Sequence, residues 1–318
     1  MWKLIRNNKK KILTAILLGA GLSSAQAEVL VILPESGPMA RAASSIKQGF
    51  SSAYIASGSK IPLKFVNSDQ MKMSGLLKKH VTKKTQMIVG PLSVSEVDAI
   101  ISAKPQIKVL TLNEGNKKLA NVLQFSLAKR DDAGALAAVL HKDQIEEVLV
   151  YRELGTENEN ELFLMALMSQ AEHTLNVVAE KPKKLKKNQG LLLLGSNGWL
   201  NSQSALPKKR IYTLANALEQ YKPLPAGIKF CDSPAVHETG WYDMKHAYAA
   251  QPVSLPYQRL LAFGGDAWQI TQSLLENPKT KAHVFEGRTG QLNVQSGQIR
   301  RTPHCYLYQA KGLMLLQI

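Results

Sequence analysis

Directly behind the small-x-small tripeptide Ala25-Gln26-Ala27, residues 29–33 form an unbroken apolar run closed by Pro34. An amphipathic stretch follows, and this unit of apolar run, turn and amphipathic segment then repeats along the chain. A run with no polar alternation reads as a strand buried on both faces, which is the habit of parallel sheets. Such sheets need helices on both sides, so the rhythm constrains the chain to an α/β architecture. In the first half it predicts strands at 29–33, 63–66, 87–89, 108–112 and 122–125. Helices are expected over 42–57 and 73–83, with a third opened by Ser93 and Glu96 in capping-box spacing. Ile46, Phe50 and Tyr54 recur at helical spacing, and Gly49 is expected to let the first helix approach the sheet closely.

The second half keeps the pattern. A helix is expected over 131–141, a strand at 148–151, and a helix from a second capping box, Thr156 and Glu159, to about residue 172. Strands at 177–179, 191–194 and 210–213 follow, then a strand at 260–263, a helix at 266–276, and short strands around Gly290, Gly297 and Gly312. One stretch breaks the rhythm. Residues 180–190, EKPKKLKKNQG, carry five lysines and Pro182 where a crossover normally holds a helix. The segment reads either as a basic docking loop or as a solvated connection.

Ahead of the fold, Lys3, Arg6, Lys9, Lys10 and Lys11 precede an apolar stretch, 12–22, too short to span a bilayer as a mature helix. With the tripeptide at 25–27, residues 1–27 read as a cleaved export signal. The mature chain would start at Glu28 in an oxidising compartment, most simply a periplasm. It keeps 35 of the 40 Lys and Arg against 24 carboxylates. That surface suits anionic cell wall, or simply keeps the protein soluble. Export and the lack of any zinc-finger, RNA-binding or basic-zipper signature argue against nucleic acid. The two cysteines, Cys231 and Cys305, are a disulfide candidate closing a loop of 74 residues. Such a bond is worth about 4 kcal/mol in the chain-entropy model. No cysteine lies near the cleavage point, so no lipid anchor is expected.

Catalytic templates fail in turn. Ser44-Ser45-Ile46-Lys47 matches Ser-x-x-Lys, but Ser-Asp-Asn and Lys-Thr-Gly are missing. There is no Gly-x-Ser-x-Gly elbow, phosphate-binding loop or His-Glu-x-x-His. His237 and Glu238 are adjacent, and Glu157, Glu159 and Glu161 suit a helix start. No enzyme activity and no cofactor or metal site is expected. What remains are loops after the parallel strands, where α/β sheets bind ligands. Ser36, Gly37, Ser93 and Asn113 are the candidates for holding a small anion such as a carboxylate. Plain cap chemistry accounts equally for Ser93. Trp199, Trp241 and Tyr242 read as core, with interface anchoring as the rival.

The segment ILPESGPMARAASSIKQGFSSAY resembles the first strand–loop–helix of the type I periplasmic binding fold. It is closer still to the C-terminal domain of LpoA-type penicillin-binding protein activators. IVGPLSVSEVDAI with VLTLNEG, GIKFCDSP, and RLLAFGGDAWQITQSLLENP with FEGRTGQLNVQSGQIRRTPHCYLYQAKG are similar to further segments of that family. Gly265-Asp266-Ala267-Trp268 with Gly287-x-Thr289-Gly290 is the most specific part. The resemblance implies two lobes, each a mostly parallel sheet flanked by helices: 28–128 plus about 257–290, and 129–256 plus about 291–318. It further implies a non-catalytic, monomeric periplasmic protein that binds a class A penicillin-binding protein and stimulates peptidoglycan synthesis. The sequence departs from the family in lacking the lipoprotein cysteine and the preceding helical-repeat domain, and in a second lobe shortened near 181–190. The rival expectation is a solute-binding protein feeding an ABC transporter with an amino acid or similar small anion.

Overall fold

The computed structural model describes residues 27–170, 173–278, 282–295 and 297–317. The export signal expected over 1–27 lies outside the described residues except for Ala27. In chain order the first elements are β1 (Glu28–Leu33), α1 (Ala40–Ala56), β2 (Leu63–Asn67), α2 (Met73–His80), β3 (Thr85–Val89), α3 (Val94–Ser102), β4 (Lys108–Thr111) and β5 (Val122–Gln124). Next come α4 (Lys129–Lys142), β6 (Glu147–Arg152), α5 (Glu157–Gln170), β7 (Thr174–Val177), β8 (Gln189–Leu194), α6 (Asn197–Ser202), β9 (Ile211–Tyr212) and β10 (Ile228–Asp232). The chain closes with α7 (Pro234–His237), α8 (Tyr242–Ala250), α9 (Leu255–Glu276), β11 (His283–Gly287), β12 (Gly290–Gln295), β13 (Gln298–Thr302), β14 (His304–Gln309) and β15 (Gly312–Leu315).

These strands form two sheets, ordered β11-β12-β13-β5-β4-β3-β1-β2 and β15-β14-β10-β9-β8-β6-β7. β1 to β5 pair in parallel, as do β6 to β10, and antiparallel strands close one edge of each sheet. The apolar runs explain the layering. Val29, Val31 and Leu33 enter one core cluster, while Leu30 and Ile32 enter another on the opposite face. In β8, Leu192 and Leu194 face one cluster and Leu191 and Leu193 the other. Period-2 geometry sends alternate residues to opposite faces, so an all-apolar strand must be covered twice.

The structure corrects four expectations. Residues 260–263 are helical, within the single 22-residue α9 that starts with Pro256 in its first turn. The Ala-Phe-Gly-Gly step imitates a strand and turn, but its glycines serve contact between helices. A Cβ on Gly264 would lie 2.0 Å from the Ile46 carbonyl oxygen, and one on Gly49 would lie 1.8 Å from that of Leu261. Gly49 therefore admits α9 and does not pack on the sheet. Thr156 donates its hydroxyl to the Glu153 carbonyl, at 2.8 Å, in place of the expected cap. The handover between lobes also moves. β12 and β13 pair within the first sheet, so the chain leaves it at Pro303, not near 290. α8 joins the first lobe too, because Ser52 Oγ and Gln48 Nε2 donate to the Asp243 and Ala247 carbonyls.

Among the described residues no helix joins β7 to β8. Cys231 and Cys305 face each other across β10 and β14 and are bonded. Gly264→Ala should destabilise the fold by about 1–3 kcal/mol or more through overpacking of α1 against α9, read as a lowered urea midpoint. The Cys231→Ala/Cys305→Ala double variant should lose about 4 kcal/mol by the loop-entropy argument, measured the same way.

Candidate functional site: the junction between the two sheets

The predicted loop residues sit at the carboxyl ends of β1, β3 and β4, but their polar groups are already engaged. The Ser36 N–H and hydroxyl both donate to Asp69, at 2.7 and 2.8 Å. The hydroxyl bond and the backbone N–H groups hold the Asp69 carboxyl below its ordinary range despite some desolvation. Gly37 turns the chain at φ +69°. Ser93 caps α3 in a full capping box, donating to Glu96 at 2.7 Å and accepting from its N–H. Asn113 donates to the Leu92 carbonyl at 3.0 Å and accepts from the Glu114 N–H. Asn113 and Ser93 thus belong to linked loops, whereas Ser36 is tied to the segment after β2. Lys47 of the Ser-x-x-Lys match pairs with Glu35 at 3.5 Å and lies over the Phe65 ring.

Charge gathers instead where the sheets meet. α4 leaves the first lobe with Lys129-Arg130-Asp131-Asp132 in its first turn. Arg130 forks onto Glu114, which also accepts from the Ser126 hydroxyl. Burial pushes the Glu114 carboxyl up, but Arg130 and Ser126 prevail and hold it below the usual range. On β13, buried Arg301 bonds Asp132 and the Thr289 carbonyl, and its N–H donates to Asp131 at 3.3 Å. Burial raises the Asp131 carboxyl against the pull of Arg301 and Arg130.

A second node lies at the end of β10. Asp232 is 3% exposed and receives Arg259 of α9 in a bidentate pair at 2.7 and 2.8 Å, with His237 Nε2 at 2.8 Å. Burial works against its ionisation, yet Arg259, then His237, hold the carboxyl far below its ordinary value. Between these nodes lies a cavity of about 220 Å³, lined by Asp132, Thr213, Asn216, Asp232, Arg259 and Arg301. Sequence reading missed these residues because the arginine partners of Asp132 and Asp232 lie far away in the chain. The doublets Asp131-Asp132 and Arg300-Arg301 were the available signal.

The Gly265-Asp266-Ala267-Trp268 step has a structural account. Asp266, fully buried in α9, accepts from the N–H groups of Arg288 and Thr289 and from the Thr289 hydroxyl, at 2.6–2.8 Å. It clamps the β11–β12 turn, whose Gly287 and Gly290 leave no room for a side chain. Trp268 packs edge-on against Phe50 and Tyr54 and donates to Ser57 at 3.0 Å. Trp199 lies against Tyr151 and Trp241 against Arg288, while Tyr242 is 73% exposed. Among the described residues no group of three or more His, Cys, Asp and Glu could hold a metal ion, and no helix is long and apolar enough to cross a membrane.

Two sheets of parallel strands, wound in succession and cross-braced by a returning helix, define the periplasmic-binding class of type I fold. Within that class, the chain is similar to the LpoA activators in sequence and in structure. A family model described as LppC putative lipoprotein matches residues 19–157, whereas both cysteines of this chain lie at 231 and 305. The chain is 23% identical over 296 residues to penicillin-binding protein activator LpoA of Haemophilus ducreyi, covering 83% of this chain and 50% of that protein. The same-named protein of Pasteurella multocida is 22% identical over 322 residues, 91% of this chain and 55% of the relative. The chain therefore spans about half the length of the curated relatives it matches. The solved LpoA C-domain of Haemophilus influenzae, described as a regulator of PBP1A, superposes with a TM-score of 0.73 at 19% identity, over 92% of this chain and 100% of that domain. A putative branched-chain amino acid ABC transporter protein of Chromobacterium violaceum gives 0.74 at 20% identity, over 88% and 99%. These superpositions show the fold.

Asp232→Asn should cost about 3–5 kcal/mol at neutral pH, because it leaves Arg259 buried without its counter-charge. Since folding depresses the Asp232 carboxyl, its contribution is complete above the unfolded value near pH 3.9 and is lost as pH falls toward the folded one. The variant should accordingly show a flatter decline in urea midpoint below about pH 4 than the parent.

Proposed function

We propose that this chain is a non-catalytic periplasmic activator that binds a class A penicillin-binding protein and raises its peptidoglycan-synthesising activity by contact. The observation that carries the reading is the extent of the likeness. Relatives named penicillin-binding protein activators align with 83% and 91% of the chain. The mature protein is taken to begin at Glu28 and to be monomeric, with the first lobe built on the eight-stranded sheet and the second on the seven-stranded one. A partner that favours one conformation of the synthase shifts it by its differential affinity for that state.

Solute binding is the second reading, supported by the likeness to the Chromobacterium violaceum protein. Against it, the hydroxyl of Ser36 and that of Ser93 are tied to Asp69 and Glu96, so a small anion would have to displace them. Mature protein from Glu28 onward should retain a class A penicillin-binding protein from envelope extracts, detected with labelled penicillin. It should also raise that enzyme's cross-linking rate when the purified pair is mixed. Retention of no labelled protein, together with calorimetric binding of an amino acid, would overturn the activator reading in favour of solute capture.

A further inference from the structure

The crossover without a helix has a partner elsewhere in the chain. Residues 181–187 and 203–210 are brought together at the end of the second sheet where β8 and β9 begin. Arg210 donates to the carbonyls of Lys186 and Lys187, and Lys181 to that of Ser204. Leu185 and Leu206 pack on the same buried cluster beneath them. The two loops hold eight cations and no carboxylate. Lys183, Lys184, Lys186, Lys187, Lys208 and Lys209 are all exposed. Glu180 precedes the first loop, and Glu146 and Glu147 accept from Asn188 and Gln189.

A comparable run in the first lobe has a local reason: Lys78 and Lys79 lie in the last turn of α2, where cations complement the helix dipole. No helix end accounts for the lysines of the second lobe. Their chemistry is also particular. The sole guanidinium, Arg210, is occupied by carbonyls, so the bidentate fork that reads an individual phosphate is missing. The exposed groups are lysines, point charges on flexible apolar stems that can lie along a surface. The cavity at the lobe junction is not lined by these loops. We infer that this basic end of the second lobe docks electrostatically on an anionic phospholipid bilayer. The inference does not draw on the synthase contact, so the two stand or fall separately.

The test is co-sedimentation of the mature chain with vesicles of phosphatidylethanolamine and phosphatidylglycerol, against vesicles of phosphatidylcholine alone. Binding is expected only to the anionic vesicles and is expected to be lost at about 1 M salt. Neutralising four lysines together, K183Q/K184Q/K186Q/K187Q, should weaken it by at least ~100-fold. The matched variant K78Q/K79Q/K83Q/K84Q removes the same charge at the other pole and should change it by less than about threefold. Unchanged urea midpoints show that both variants fold. Equal binding to phosphatidylcholine, or equal loss in the two variants, would overturn the proposal. So would competition by inorganic phosphate at low concentration, or binding to isolated cell-wall sacculi without binding to vesicles.

Discussion

The close crossing of α1 and α9 is the contact on which the rest of the molecule depends. Two glycines, Gly49 and Gly264, let each backbone approach the other to within the space of one side chain. Everything that α9 carries is placed by that approach. Its first turns present Arg259 to Asp232 at the end of β10, in the second sheet. Its middle presents Asp266 to the β11–β12 turn of the first, and two residues later Trp268 locks onto Phe50 and Tyr54. A helix set further out would lose a buried ion pair, a turn clamp and an aromatic cluster together. Such coupling turns a local packing fault into a global one.

Three ion pairs join the two lobes. Arg130 to Glu114, Arg301 to Asp132 and Arg259 to Asp232 each join a residue of one lobe to a residue of the other. Partly or fully buried ion pairs of this kind contribute little net stability compared with apolar packing, but removal of one partner is costly. They therefore favour one angle between the lobes without requiring a large hydrophobic interface.

How much of this was legible in the sequence follows from the range of each interaction. The parallel strands could be read because burial on two faces demands consecutive apolar residues, and the Ser93–Glu96 box because its partners are three residues apart. α9 was misread because Leu-Leu-Ala-Phe-Gly-Gly satisfies a strand and a turn locally. Only distant groups explain the glycines: the Ile46 carbonyl for Gly264, and the side chains of Arg288 and Met244 for Gly265. The positions of Ser36 and Asn113 after their strands were legible, but their partners were not, since Asp69 lies thirty-three residues from Ser36. The junction pairs were least visible of all: Arg301 and Asp132 are separated by 169 residues, and nothing in either local segment names the other.

The Gly265-Asp266-Ala267-Trp268 step shows why a specific sequence signature need not mark chemistry. An aspartate that accepts three close hydrogen bonds in a fully buried site cannot be exchanged for asparagine without turning the amide NH2 toward a backbone N–H. A side chain on Gly290 would press on the Thr302 carbonyl. Residues so constrained stay recognisable because the turn they hold has no other solution, and the turn matters because β12 and β13 carry Arg301 to the lobe junction. The signature thus reports a geometry that fixes the angle between the lobes.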